Sequence, residues 1–193
     1  MANLEPLIQS IPVAPLKLAS LEGCRTLADQ VNNYLVSFRH ESPTNVGQAD
    51  SLQGYCADSY LLECECPRFG SGEGKGVLKE SVRGCDLFIM VDVTNYSLTY
   101  RVNGYENHMS PDNHYQDLKR IISAADGKAR RINVIMPFLY EGRQHKRSKR
   151  ESLDCALMLQ ELVDMGVSNI LTFDAHDPRV SNSIPLHGFD SFM

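Results

Sequence analysis

The chain has 193 residues, a formal net charge of -5, 42% hydrophobic residues and 22% charged ones. That length can bury a core of one domain or one and a half, the composition is globular rather than disordered, and the acidic balance excludes a general nucleic-acid-binding surface. No run reaches the roughly 18 apolar residues of a membrane span, and the first residues lack a basic segment followed by an apolar one, so a cytoplasmic location with no membrane attachment is expected.

In chain order, the polar stretch over 37–54, with Pro43 and Gly47, reads as a loop or insertion. Cys56, Cys64 and Cys66 follow, but a single C-x-C pair without a second pair is an incomplete zinc signature, so reduced, buried or edge-strand thiols are expected. The glycine-rich stretch from Gly70 to Gly76 imitates a phosphate loop, yet its spacing is wrong and no Ser or Thr follows Lys75. Three apolar runs, 86–92, 132–136 and 169–173, are rich in β-formers and read as buried strands. Two helices separate them. One is capped by Ser110, carries Pro111 in its first turn and stops at Gly127. The other is capped by Ser152 and stops at Gly166.

Strands alternating with helices predict a parallel, doubly wound α/β sheet, whose ligands gather at the carboxyl ends of the strands. Two segments there bear chemistry. Five of the eight residues from Arg143 to Arg150 are Arg or Lys, which suits a polyphosphate as readily as it makes a solvated basic loop. Asp174-Ala-His176-Asp177 puts carboxylates and an imidazole at a strand end, either as ligands for a divalent cation or as a polar turn.

The stretch Glu80-Ser-Val-Arg-Gly-Cys-Asp-Leu-Phe-Ile89 resembles a motif of ribose-phosphate pyrophosphokinases. So do Met136-Pro137-Phe138 with Tyr140 and Arg143-Gln144, Thr172-Phe-Asp-Ala-His176, and Ile184-Pro185, all in the family's order. The resemblance implies a type I phosphoribosyltransferase-like fold and makes 1–193 the single N-terminal, ATP-side domain of a two-domain synthetase. The second domain, with the ribose-phosphate loop and the family's catalytic Lys and Arg, is not in these residues, so no residue here is assigned as catalytic. The implied reaction transfers the diphosphoryl group of ATP to ribose 5-phosphate, giving phosphoribosyl pyrophosphate and AMP. By the same resemblance Phe69, Ser71 and Glu73 match an adenine-contacting hairpin lent to a neighbouring subunit. Arg143, Gln144, His145 and Lys146 match the ATP-contacting segment, and Asp174 and His176 match positions that help bind Mg²⁺. A homo-oligomer, dimer or hexamer, is implied too. The chain departs from the pattern at His145, where the family has Asp, at Ser71 in the hairpin, and at Ser183 and His187 near the metal site. These departures leave open an alternative: a catalytically silent subunit that assembles with active synthetases.

Overall fold

The structure, a computed structural model, describes residues 12–41 and 54–193. Six strands form an all-parallel sheet in the order β10-β9-β8-β5-β1-β2. They are β1 (Leu16–Ser20), β2 (Leu61–Leu62), β5 (Asp86–Met90), β8 (Arg131–Ile135), β9 (Val167–Phe173) and β10 (Gly188–Phe192). Two small antiparallel ribbons flank it, β3 (Cys64–Glu65) with β4 (Val77–Leu78) and β6 (Thr99–Val102) with β7 (Tyr105–His108). Parallel strands buried on both faces need apolar residues in unbroken runs, and successive side chains then face opposite layers. Leu18 and Met90 therefore pack on one face with α1 (Arg25–Glu41). Ala19, Ile89, Val134 and Ile170 pack on the other, with α2 (Pro111–Ala125) and α3 (Asp154–Asp164). Helices on both faces make the sheet doubly wound, as expected.

The helices begin and end for local reasons. The Ser110 hydroxyl accepts from the Asn113 amide at 3.2 Å, Pro111 opens α2, and Tyr115, Leu118, Ile121, Ile122 and Ala125 give it one buried stripe. Ser152 does not cap α3: its hydroxyl donates to the Asp154 carboxylate at 2.5 Å, its carbonyl is taken by Gln144, and Leu153 is the residue before the first turn. Both helices stop just short of a glycine in the left-handed region, Gly127 at φ 64° and Gly166 at φ 89°.

The expected loop over 37–54 begins later. Residues 37–41 continue α1, because no breaker precedes Pro43 and Phe38 stacks on Tyr34 one turn back, with ring centroids 6.1 Å apart. Positions 42–53 of that loop lie outside the described residues. The glycine-rich stretch is the turn joining β3 to β4, not a loop between a strand and a helix.

A polar ladder ties the amino ends of the strands together. The Asp86 carboxylate receives Arg131 Nε at 2.8 Å and Asn133 Nδ2 at 2.7 Å, and Asn133 Oδ1 accepts from Asn169 Nδ2 at 2.6 Å. Next in line stands Gly188, where a Cβ would sit 2.0 Å from Asn169 Oδ1, so a larger residue would have to displace Asn169 or the strand. Strand order reverses between β1 and β5, which marks the topological switch point of the sheet.

Candidate functional site at the carboxyl edge

Two connections shape the carboxyl edge beyond β8 and β9. After β8 the chain turns over residues 139–144, with Gly142 N donating to Leu139 O at 3.0 Å, Gln144 N donating to Glu141 O at 2.8 Å, and Glu141 held at φ 54°. Tyr140 anchors the turn. Its ring stacks on Tyr115 with centroids 4.6 Å apart, and its hydroxyl donates to Asp112 Oδ1 at 2.6 Å. Burial, then the Asp112 and Glu141 carboxylates, raise the Tyr140 phenol above its ordinary range, so it stays a donor. Gln144 is spent as a brace: its amide donates to Ser152 O at 2.7 Å, and its own carbonyl accepts from Cys155 N at the start of α3. Arg143 and Lys146, on either side, are exposed and make no hydrogen bond or ion pair among the described residues.

After β9, Asp174 sits at φ 50°, a left-handed conformation that Asp tolerates better than most residues. Its amide donates to Phe192 O at 2.7 Å, and the Ala175 amide donates to Ser191 Oγ at 3.1 Å, so β10 holds the turn in place. The Asp174 and His176 side chains are exposed, and neither has a hydrogen-bond partner among the described residues.

The two loops meet at His145. Its ring lies 5.0 Å from that of His176, its Nε2 is 3.4 Å from Asp177 Oδ2, and its Nδ1 is buried with no partner. Asp177 also accepts from Arg179 through the backbone amide at 2.9 Å and through the guanidinium at 2.5 to 3.1 Å. Hydrogen bonds from Arg179, with His145 a smaller contributor, hold its carboxyl well below the usual carboxylate range. Sequence reading placed Asp177 among the candidate cation ligands but did not anticipate its bond to Arg179, a residue it did not single out. The signal for it was Asp177 followed by Pro178, the pattern of a capping residue that opens a helical turn, here the 3-10 turn Pro178–Ser183.

Of the residues singled out in sequence, the fold thus brings Arg143, Gln144, His145 and Lys146 to the same edge as Asp174 and His176. Phe69, Ser71 and Glu73 lie elsewhere, on the exposed β3–β4 turn, with Ser71 Oγ donating to Glu73 Oε2 at 2.8 Å. That turn rests on the β6–β7 ribbon, through Asn103 N donating to Gly70 O at 3.3 Å, and no hydrogen bond or ion pair joins it to the carboxyl-edge loops among the described residues. Ser183 and His187 bring no further acid, and among the described residues no group of three or more His, Cys, Asp or Glu is arranged to hold a metal ion. The six cysteines are free thiols. Among the described residues, no helix is long and apolar enough to cross a membrane.

A doubly wound parallel sheet with cations, an acid and imidazoles on its carboxyl edge belongs to the large class of ligand-binding α/β domains. A family model described as the N-terminal domain of ribose phosphate pyrophosphokinase matches residues 16–166, so the chain belongs to the ribose-phosphate pyrophosphokinase family. It is 29% identical over 167 residues to the ribose-phosphate pyrophosphokinase of Corynebacterium ammoniagenes, covering 86% of this chain and 41% of that protein. Against the enzyme of Bacillus caldolyticus it is 30% identical over 122 residues, 62% of this chain and 34% of the other. A crystal structure of phosphoribosylpyrophosphate synthetase from Mycobacterium smegmatis superposes with a TM-score of 0.65 at 22% identity, over 93% of this chain and 48% of that one. The chain therefore spans less than half the length of these relatives.

Proposed function

We propose that this chain forms the ATP side of a cytoplasmic ribose-phosphate diphosphokinase, which transfers the diphosphoryl group of ATP to ribose 5-phosphate and releases AMP. The observation that carries the reading is the meeting of the 143–146 loop with the 174–177 turn at His145 and His176, within a chain of this family. In this reading Arg143 and Lys146, unpaired and exposed, neutralise the polyphosphate, because phosphoryl-type transfer needs alignment and charge compensation more than covalent help. Gln144 acts as the brace that keeps them in place, and His145 packs between the two loops with its buried Nδ1 unpartnered.

Asp174 and His176 fit Mg²⁺ as a pair of uncommitted side chains two residues apart, since this ion keeps several waters and asks for few protein ligands. Bound there, Mg²⁺ would supply charge neutralisation to the polyphosphate. Phe69, Ser71 and Glu73 stand on the exposed β3–β4 turn, unconnected by any hydrogen bond to the edge loops among the described residues, and the proposal gives them adenine contacts in a neighbouring copy of a homo-oligomer.

The full-length protein, incubated with Mg²⁺, ATP and ribose 5-phosphate, is expected to release AMP in proportion to added ribose 5-phosphate. A well-folded full-length protein that releases none would remove the enzyme reading and leave a silent partner of active synthetases. That second reading is favoured by one observation, the replacement of the expected acid at position 145 by a histidine whose neighbouring carboxylate is already engaged by Arg179.

A further inference from the structure

The β6–β7 ribbon belongs neither to the six-stranded sheet nor to the buried core, and a two-stranded ribbon alone is at best marginally stable in water. It stands on two supports. Its root is tied to the body of the domain. Met109 N donates to Leu98 O at 2.8 Å, and the His108 ring stacks on Tyr96 with centroids 4.4 Å apart. Just before the ribbon, the Asn95 side-chain amide donates to Gly23 O at 3.1 Å, and Asn95 O meets His114 Nε2 at 2.7 Å.

The second support is the 69–73 turn. Successive side chains of a strand face opposite ways, and only one face of this ribbon is covered. Tyr100, Val102 and Asn107 are half-buried and share that face, since Tyr100 pairs with Asn107 in the ladder. Thr99, Arg101 and Glu106 share the exposed face, where Thr99 Oγ1 donates to Glu106 Oε1 at 2.7 Å. The covered face meets Gly72: a Cβ there would sit 2.9 Å from Val102 Cγ2 and 4.0 Å from Tyr100 Cε2. At the ribbon's tip the backbone adds the bond from Asn103 N to Gly70 O.

The turn needs such a support. Gly70, Gly72 and Gly74 alternate with Phe69, Ser71 and Glu73, and Gly72 adopts φ 91°, so the backbone that carries these three side chains is unusually free. The base of the turn is secured separately. Both arms of the Arg68 guanidinium bind Asp117 on α2, at 2.6 and 2.8 Å, in a pair almost wholly buried, and Arg120 adds a third bond at 2.6 Å. The same guanidinium lies 5.3 Å from the Tyr100 ring centroid, so base and ribbon share one anchor. Above that base the turn closes through Phe69 N to Glu73 O at 2.7 Å and Gly72 N to Phe69 O at 2.9 Å. Phe69, 54% exposed, is left open.

We propose that the β6–β7 ribbon is a positioning element for the adenine-contacting turn and thereby a determinant of nucleotide affinity. With Val102 and Tyr100 against Gly72 and Asn103 on Gly70, it holds Phe69, Ser71 and Glu73 in one shape, ready for the base of an ATP bound by a neighbouring copy. The inference rests on the ATP reading above and gives a role to a segment outside it. Ordering a glycine-rich turn opposes binding, and a ribbon that orders it in advance removes that opposition.

The test replaces residues 99–108 of the full-length protein with Asn-Gly, a two-residue turn that closes on the Leu98–Met109 bond. The probes are Mg²⁺–ATP and Mg²⁺–tripolyphosphate, titrated calorimetrically, the second reporting the phosphate side alone. The unaltered protein should bind ATP more tightly than tripolyphosphate. The shortened protein should lose about tenfold in ATP affinity and none for tripolyphosphate, whereas general damage to the fold would lower both. Val102→Ala should shift ATP in the same direction by less. Amide exchange gives a readout independent of any ligand: without the ribbon the Gly72 amide should exchange about tenfold faster or more, with the Lys75 and Lys79 amides at the base of the turn unchanged. Urea midpoints identify the folded variants, and Val102→Ala carries the same tests if the shortening unfolds the chain. An ATP advantage that survives in the folded variants, no such advantage in the unaltered protein, or Gly72 exchange indifferent to the ribbon would each overturn the inference. An unaltered protein that binds neither probe would instead remove the ATP reading, and this inference with it.

Discussion

At the amino ends of the strands, Asp86, Arg131, Asn133 and Asn169 satisfy one another in a continuous ladder. At the carboxyl ends, the side chains of Arg143, Lys146, Asp174 and His176 make no hydrogen bond or ion pair among the described residues. Backbone conformation differs in the same sense. Glu141 and Asp174, both beyond carboxyl ends, are two of the three non-glycine residues with positive φ among those described, while the amino edge uses Gly188 where space runs out. One edge spends its polar groups on holding the strands together. The other keeps them available for a ligand, on turns braced by Gln144, Tyr140 and β10 rather than by the reactive groups themselves.

This contrast can be broken most forcefully at Asp86. Replacing it with Ala strands the Arg131 guanidinium and the Asn133 amide, and should cost about 3 kcal/mol of stability in urea unfolding, since removing one partner of a buried pair leaves the other uncompensated. Activity per folded molecule should not change. Gly188→Ala should cost about 1 to 3 kcal/mol, because Asn169 must leave Asn133 or β10 must shift away from β9. At the other edge the effect on stability should almost vanish. Asp174→Asn keeps a residue that tolerates φ 50° and should alter the urea midpoint by less than about 0.5 kcal/mol, while weakening the Mg²⁺ dependence of ATP binding. Equal destabilisation by Asp86→Ala and Asp174→Asn would erase the distinction between the two edges.

Much of the sheet was legible because both its faces are buried. The apolar runs at 86–92, 132–136 and 169–173 marked β5, β8 and β9 within a few residues, and Ser110-Pro111 marked the start of α2. The first βαβ unit was not legible. In α1 only Ala28 and Asn32 are buried, so its apolar stripe is thin and it reads as polar, while β1 has its apolar run broken by Lys17 and Ser20 and β2 has only two residues. The β10 strand was hidden by its sequence, Gly188-Phe-Asp-Ser-Phe192, which has neither a continuous nor an alternating apolar pattern, as an exposed edge strand allows. Within the site, types and order of residues could be read from motifs, Asp177 among them, but Arg179 and the pairing of Asp177 with His145 could not. That pairing depends on a turn that swings the Asp177 carboxylate back to within 3.4 Å of His145, a contact across 32 positions that local spacing does not encode.

The central claim is that the carboxyl edge is the ATP-binding edge, and calorimetric titration of Mg²⁺–ATP into the full-length protein tests it most directly. The account predicts one ATP per chain at the carboxyl edge, with affinity falling about tenfold or more in the Arg143→Ala, Lys146→Ala variant at an unchanged urea midpoint. Unaltered affinity in that folded variant would contradict it.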